Sequence, residues 1–301
     1  MLVTDLADGD TATDPVSVLL RVLDLEGSNA RTTEDIFTGV SQPMPLGRVY
    51  GGQVLAQSIV AAQRTVPADR PAHSMHGYFL RPGDASTGIT FSVDRIHDGR
   101  SFSTRRTQAF QAGVPIFSMI SSFEVETPGL EHQAAMPVGI PDPEELDNAE
   151  DRLADAHPMS RRLFSERPVE LRHFPSSIYV SVDGEQTPHQ AVWMRTRRAL
   201  PEDPAIHRAA LAYMSDLTIQ ESILRAHGVT WTRPGLKVAS LDHAMWWHRD
   251  GRADDWLLYV QESPSARGGR GLAQGRVFSR DGVLLASVAQ EIMIRVPDAQ
   301  V

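Results

Sequence analysis

The chain of 301 residues contains no cysteine. That removes disulfides, thiolate nucleophiles and cysteine-ligated metals together, and it is compatible with a reducing compartment without requiring one. Basic charge is also scarce: 29 Lys and Arg stand against 38 Asp and Glu, a formal net charge of −9. A nucleic-acid binder presents a basic surface to phosphates, so this balance argues against that class. No apolar run approaches the ~18 residues of a membrane-spanning helix. Met1–Asp8 is acidic and lacks the basic and apolar regions of a secretory signal, and Asp298–Val301 carries no address motif. These absences lead to the expectation of a cytoplasmic protein with no membrane span and no nucleic-acid partner. One segment, Arg267-Gly268-Gly269-Arg270-Gly271, resembles an RNA-binding stretch. It is single, short and bounded by strand-forming sequence, and reads as a glycine turn.

What is present is an ordinary globular balance, 41% hydrophobic and 22% charged, in a chain long enough for two domains. The chain says one thing twice. Gly113-Val114 with Ser118 recurs as Gly282-Val283 with Ser287, 169 residues on, and His76 before Tyr78-Phe79 recurs as His243 before Met245-Trp246, 167 residues on. Such nearly equal offsets suggest a duplicated unit of about half the chain.

Each copy reads as a helix followed by strands. The first has a helix over Gly52–Val66 and strands at Ala72–Leu80, Gly88–Ile96, Ser101–Gln111 and Val114–Glu126. Ile89, Phe91 and Val93 alternate with Thr90, Ser92 and Asp94, the period-2 pattern of a half-buried antiparallel strand, and Asp98-Gly99 signals a hairpin. The second has strands at Leu171–Val182 and Ala191–Arg198, then a helical stretch Ala205–His227 stopped by Gly228. Strands at Leu236–His248, Trp256–Glu262, Gly271–Arg280 and Val283–Ile294 follow. Thr127–Pro168, rich in Pro, Asp and Glu, reads as a linker with a short helix near Pro143–Ala156. The expected organisation is therefore an N-terminal repeat over 1–126, a linker over 127–168 and a C-terminal repeat over 169–301. A helix and an antiparallel sheet made twice is an α+β pattern, and edge-to-edge pairing of the two copies would remove two exposed edges.

Within Val283–Ile294, the residues Leu284, Ala286, Val288, Gln290, Ile292 and Ile294 share one strand face, and Gln290 alone is polar. Leaving such an amide buried and unpaired costs on the order of 1–3 kcal/mol, so it needs partners, supplied either by nearby backbone or by a site. Two further polar residues stand where apolar ones belong: Asp216 among Ala212, Tyr213, Leu217 and Ile219, and Ser240 on the face of Val238 and Asp242. A carboxylate, a hydroxyl and an amide can together hold a water and take its proton. Singly, Asp216 after Ser215 also fits a helix N-cap and Ser240 a small strand residue with a satisfied hydroxyl. No histidine is placed to activate Ser240 as a nucleophile. In the first copy His73 falls near the Ser240 position and Ser121 at the Gln290 position, and no carboxylate begins the Gly52 helix. That asymmetry favours chemistry in the second copy. His243 and His248 fall on opposite strand faces, which argues against a metal site. Gly47, Gly51 and Gly52 precede a helix without a phosphate-loop lysine or dinucleotide fingerprint and read as a tight turn.

Several strings together resemble the type II acyl-CoA thioesterases: Gly47-Arg48-Val49-Tyr50-Gly51-Gly52-Gln53, His73-Ser74-Met75-His76-Gly77-Tyr78-Phe79-Leu80-Arg81-Pro82-Gly83-Asp84, Asp98-Gly99-Arg100-Ser101-Phe102 and Gly129-Leu130-Glu131-His132-Gln133 in the first half. Tyr213-Met214-Ser215-Asp216, Ser240-Leu241-Asp242-His243-Ala244-Met245-Trp246, Asp281–Ser287 and Gln290-Glu291 continue it in the second. The resemblance implies a double hotdog fold, acyl-CoA hydrolysis without cofactor or metal, and a catalytic set matching Asp216, Ser240 and Gln290 that positions the attacking water. The expected partners are the acyl-CoA substrate and further copies of the same chain. Two rivals remain: a hotdog dehydratase or hydratase, which needs a catalytic His paired with a carboxylate that His73 and His76 lack in sequence, and a non-enzymatic acyl-CoA-binding module.

Overall fold

The computed structural model describes residues 14–29, 32–148 and 166–297. The expectations for Met1–Asp8, for Asp298–Val301 and for a helix beyond residue 148 lie outside them. The first half contains α1 (Pro15–Leu23), β1 (Glu26–Gly27), β2 (Asp35–Gly39), α2 (Gly51–Gln63), β3 (Ala72–Phe79), β4 (Ile89–Asp98), β5 (Phe102–Gln111) and β6 (Val114–Glu124). After a 3-10 turn at Pro143–Glu145 come β7 (Val169–Phe174), β8 (His189–Thr196), α3 (Pro204–Ser215), α4 (Glu221–Ala226), β9 (Lys237–Ser240), β10 (Asp242–Trp247), β11 (Leu257–Arg267), β12 (Arg270–Ser279) and β13 (Leu284–Arg295).

Among the described residues the strands form one sheet in the order β1-β2-β4-β5-β6-β3-β10-β13-β12-β11-β8-β7, with β9 also pairing β13. The two halves join edge to edge where β3 runs antiparallel to β10, with Met75 opposite Met245. The helices lie on the inner face, whose core includes Leu19, Leu55, Phe91, Phe117, Tyr213, Met245, Tyr259 and Ile292. This is the double hotdog α+β architecture.

The structure departs from the sequence reading at four elements. The helix α1 was not anticipated, although Asp14 caps it by accepting from Ser17 N–H at 2.7 Å and Pro15 occupies its first turn. The strand predicted over Leu171–Val182 stops at Phe174 because Pro175 follows. The predicted helix Ala205–His227 breaks into α3 and α4, and the predicted strand Leu236–His248 breaks at Leu241. Residues 127–148 are also more than a solvated linker. Ala134, Met136, Ile140 and Leu146 pack on Trp193, Trp256, Leu258 and Phe278 at the outer face of the sheet. Gln133 bridges Gly282 O (2.8 Å) and Leu284 N–H (3.1 Å), tying this strap to the last hairpin. The Arg-Gly stretch is the β11–β12 hairpin, with Gly268 and Gly269 at φ of 63° and 74° and Arg267 paired to Arg270.

The start of α2 packs against the end of α3 through glycine. A Cβ on Gly52 would lie 2.4 Å from the carbonyl oxygen of Tyr213, and one on Gly51 would lie 2.7 Å from Asp216 Oδ2. The first contact is with backbone, which cannot swing aside. Gly52→Ala should therefore lower stability by roughly 1–3 kcal/mol, the usual cost of overpacking. A thermal melt within 1 °C of the unsubstituted protein would show that the helix start has room to move.

Candidate active site

The junction of the two halves gathers Asp216, Ser240 and Gln290. Gln290 stands on the inner face of β13 between Val288 and Ile292, both buried, as the alternation required. Asp216 is the C-cap of α3, at the break between α3 and α4, rather than an N-cap. The polar partners of its carboxylate come from elsewhere in the chain. Gln290 Nε2 donates to Asp216 Oδ1 at 3.0 Å, the Ser240 hydroxyl donates to the same oxygen at 3.4 Å, and Gly52 N–H donates to the carboxylate. Gln290 Nε2 also donates to Ser240 Oγ. Backbone therefore plays no part in satisfying Gln290.

Ser240 reaches this cluster because β9 and β10 are offset by one residue. Ser240 pairs with Ile292, but Ala244 pairs with Ala289, so the chain carries one extra residue at Leu241. Three bonds hold this bulge: Leu241 N–H to Glu291 O (2.9 Å), Phe79 N–H to Leu241 O (2.9 Å) and Glu291 N–H to Asp242 Oδ1 (2.7 Å). Without the extra residue Asp242 would share the inner face of Ser240, as the sequence reading had it. With it, Asp242 turns outward and His243 turns inward, fully buried opposite Gln290. His243 Nδ1 lies 2.7 Å from Gln290 Oε1, and its Nε2 lies 3.0 Å from Ser215 Oγ. Sequence reasoning missed His243 and Ser215 as members of the cluster, since strict alternation puts His243 on the wrong face.

The first half repeats the bulge and dismantles the cluster. There Ala72 pairs with Phe123 and Ser74 with Ser122, with His73 as the extra residue. Ala72 rather than His73 therefore matches Ser240, and Met75, which pairs with Ser121, matches His243. Ser121 does stand at the Gln290 place, but its buried hydroxyl has no partner among the described residues. The dehydratase-type pairing needs a second correction: His76 does have a carboxylate partner, Asp242 Oδ2 at 3.1 Å. His76 is half exposed and lies on the outer face of the sheet, opposite to the Asp216 cluster. His248 contacts Ser287 at 2.9 Å.

Burial governs the electrostatics. Desolvation pushes the Asp216 carboxyl up to about 6, against the lowering effect of its bonds from Gln290, Gly52 and Ser240. Desolvation drives His243 down to about 4, so its imidazole is neutral near pH 7. Tyr259, buried, and Tyr50, partly buried, are pushed well above their usual range, first by desolvation and then by the Asp216 charge. A carboxylate held near 6 is ionised at neutral pH and still basic enough to take a proton. Beside it α2 begins, and the Gly52 N–H of its first turn donates to the carboxylate at the positive end of the helix dipole.

Comparisons with known proteins bear on the family to which the chain belongs. The acyl-CoA thioesterase family profile matches residues 160–293, and the acyl-CoA thioesterase N-terminal domain profile matches residues 40–124. Acyl-CoA thioesterase 2 of Haemophilus influenzae is 37% identical over 94% of this chain and 98% of its own length. Human acyl-coenzyme A thioesterase 8 is 38% identical over 96% of this chain and 92% of its own. Among solved structures, an acyl-CoA thioesterase II of Mycobacterium marinum is 42% identical with a TM-score of 0.76, covering 94% of this chain and all of that one. A hot dog fold protein of Alicyclobacillus acidocaldarius, 20% identical with a TM-score of 0.74 over 93% of this chain and 98% of its own, shares the fold. The chain belongs to the type II acyl-CoA thioesterase family and is a thioester hydrolase.

The two perturbed groups act on stability in opposite directions. Asp216 binds its proton more tightly folded than unfolded, so its contribution to stability falls as pH rises from 3.8 through about 6. His243 binds its proton less tightly folded, so its contribution is full above 6.5 and is lost as pH falls toward 4. Asp216→Asn removes the first effect and leaves the second. The variant should be more stable than wild type at pH 7, by on the order of 2–3 kcal/mol, and should lose stability more steeply on acidification between pH 6.5 and 4. Thermal melts across that range check this, and a variant less stable at pH 7 would contradict the desolvation of Asp216.

Proposed function

We propose that this protein hydrolyses acyl-CoA thioesters through a water activated by Asp216, with Ser240 and Gln290 completing the water's hydrogen bonds. The two repeats, 1–126 and 169–301 with 127–168 between them, would then share one site, the second supplying the side chains and the first the start of α2. The observation that carries the reading is a buried carboxylate held near 6 by desolvation, bonded to the serine and the glutamine at once.

In this reading Asp216 takes a proton from water as the water oxygen attacks the thioester carbonyl carbon. The negative charge that develops on the carbonyl oxygen lies near the N–H of Gly51 at the start of α2, where the helix dipole stabilises it, while Gly52 N–H stays on Asp216. Collapse of the tetrahedral intermediate breaks the C–S bond, and the CoA thiolate leaves with the proton that Asp216 had taken. Net, acyl-CoA and water give a free acid and CoA. No covalent acyl-enzyme forms, because both nitrogens of His243 are engaged with Gln290 and Ser215 and neither contacts Ser240. The outward His76–Asp242 pair gives the dehydratase reading no comparable support.

Since the chain contains no cysteine, a thiol reagent reads released CoA without background from the protein. Asp216→Asn should lower kcat by roughly 10²–10⁴-fold with the fold retained. Activity of the wild type should require ionised Asp216, and kcat/KM should fall as pH drops through about 6. Near-normal turnover by the Asn variant would return Asp216 to a structural role.

Ser240 offers a separate check. Ser240→Thr keeps the hydroxyl and should retain most activity, whereas Ser240→Ala should lose roughly 10–10²-fold, about 1.4–2.8 kcal/mol in the barrier. Mass spectrometry of enzyme quenched during turnover should find no acyl adduct. An adduct on Ser240 would replace the water mechanism with a serine nucleophile.

A further inference from the structure

A glutamine amide can sit either way round, and only one way serves Asp216. With Asp216 ionised, an oxygen turned toward the carboxylate would place two acceptors face to face, while the NH₂ group can donate to Asp216 and Ser240 together. Nothing in Gln290 itself selects that orientation. Its selection comes from the other end of the amide, where His243 Nδ1 stands 2.7 Å from Oε1 in a fully buried position. An acceptor at Oε1 demands a proton on Nδ1. The imidazole is neutral near pH 7, so Nε2 then carries the lone pair. Ser215 Oγ lies 3.0 Å from Nε2 and donates to Ala212 O at 2.9 Å, so its single proton is shared between that carbonyl and the Nε2 lone pair. The chain Ser215–His243–Gln290–Asp216 thus has one consistent proton order.

We infer that His243, with Ser215 behind it, is a positioning residue that locks the Gln290 amide with its NH₂ toward Asp216 and Ser240. This rests on the hydrolytic reading above. The part is specific to the second half, since the matching residue in the first is Met75, opposite Ser121. The bulge at Leu241 delivers it, so one backbone irregularity both brings in the lock and turns Asp242 outward. The charged and titratable groups around the chain leave this order alone. Asp242 and His76 act on His243 only through space from the outer face, and near Asp216 the phenols of buried Tyr213 and Tyr259 and partly buried Tyr50 have raised pKa values.

The test uses the full-length enzyme and three variants of the lock. His243→Leu should lower kcat 10–10²-fold at nearly unchanged KM. It should also shift the acid limb of kcat/KM to higher pH, because Asp216 loses a bond that lowers its pKa. His243→Asn, whose amide N–H falls near the Nδ1 position, should recover at least a tenth of wild-type kcat and return the limb to its place. In a Gln290→Ala background, His243→Leu should cost no more than a further twofold. If the Leu variant does not fold, Ser215→Ala tests the same chain with a smaller change and should shift the limb in the same direction. Imidazole ¹⁵N shifts at pH 7.5 should show His243 protonated at Nδ1 and bare at Nε2. A full additional loss in the Gln290→Ala background, an unmoved acid limb, or an Nε2–H tautomer would overturn the assignment. If Gln290→Ala and Asp216→Asn are themselves fully active, the failure belongs to the hydrolytic reading instead.

Discussion

One extra residue at Leu241 organises this molecule. Strands β9 and β10 both pair with β13, but their registers differ by one, and that offset puts Ser240 and His243 on the same side of the sheet three positions apart. A regular strand cannot do this, because side chains alternate with period 2. The bulge is held by bonds from both neighbours, Phe79 on β3 and Glu291 on β13, so it is part of the seam where the two halves meet. The same irregularity at His73 shows that it belongs to the repeat, inherited by both copies.

Given the bulge, the remainder follows from burial. The site lies under α2 and α3, whose close approach depends on Gly51 and Gly52 having no side chains. That approach buries Asp216 away from bulk solvent, and this desolvation is what lifts its carboxyl to about 6. The same desolvation leaves His243 neutral and so able to accept from Ser215 while donating to Gln290. A site open to solvent would lose both effects together.

Among the described residues one site of this kind is built, in the second half. Both halves carry the helix, the sheet and the bulge, yet Ala72, Met75 and Ser121 stand where Ser240, His243 and Gln290 do the polar work. The first half gives its helix start to the second half's carboxylate instead. The division of labour crosses the β3–β10 seam, so neither half holds the cluster by itself. The strap over residues 127–148 covers the outer face of the second half and leaves the inner face to the helices.

Much of this was legible in the amino-acid order. The alternation through Leu284–Ile294 exposed Gln290 as a buried amide in need of partners, and the turn residues at Gly268-Gly269 and Gly282 marked the hairpins. Ser240 and Asp216 stood out as polar residues among apolar neighbours, and the offset of 169 between Gly113 and Gly282 pointed to two copies, although the pairing of His76 with His243 was one residue out because Met75 holds that place. Other features required the folded chain. Pairing of β9 and β10 with β13 is long-range, so no local pattern announces the extra residue at Leu241, and strict alternation misplaces Asp242 and His243. Asp216, at the break between α3 and α4, meets the start of α2, more than 160 positions earlier in the chain. Sequence determined which side chains were available and which had to find partners, because burial and periodicity are local properties of a strand or helix. Tertiary structure decided which partners they found, because Asp216, Ser240, His243 and Gln290 meet only when distant strands and a helix of the second half pack together, and Gly52 reaches Asp216 only across the junction of the two halves.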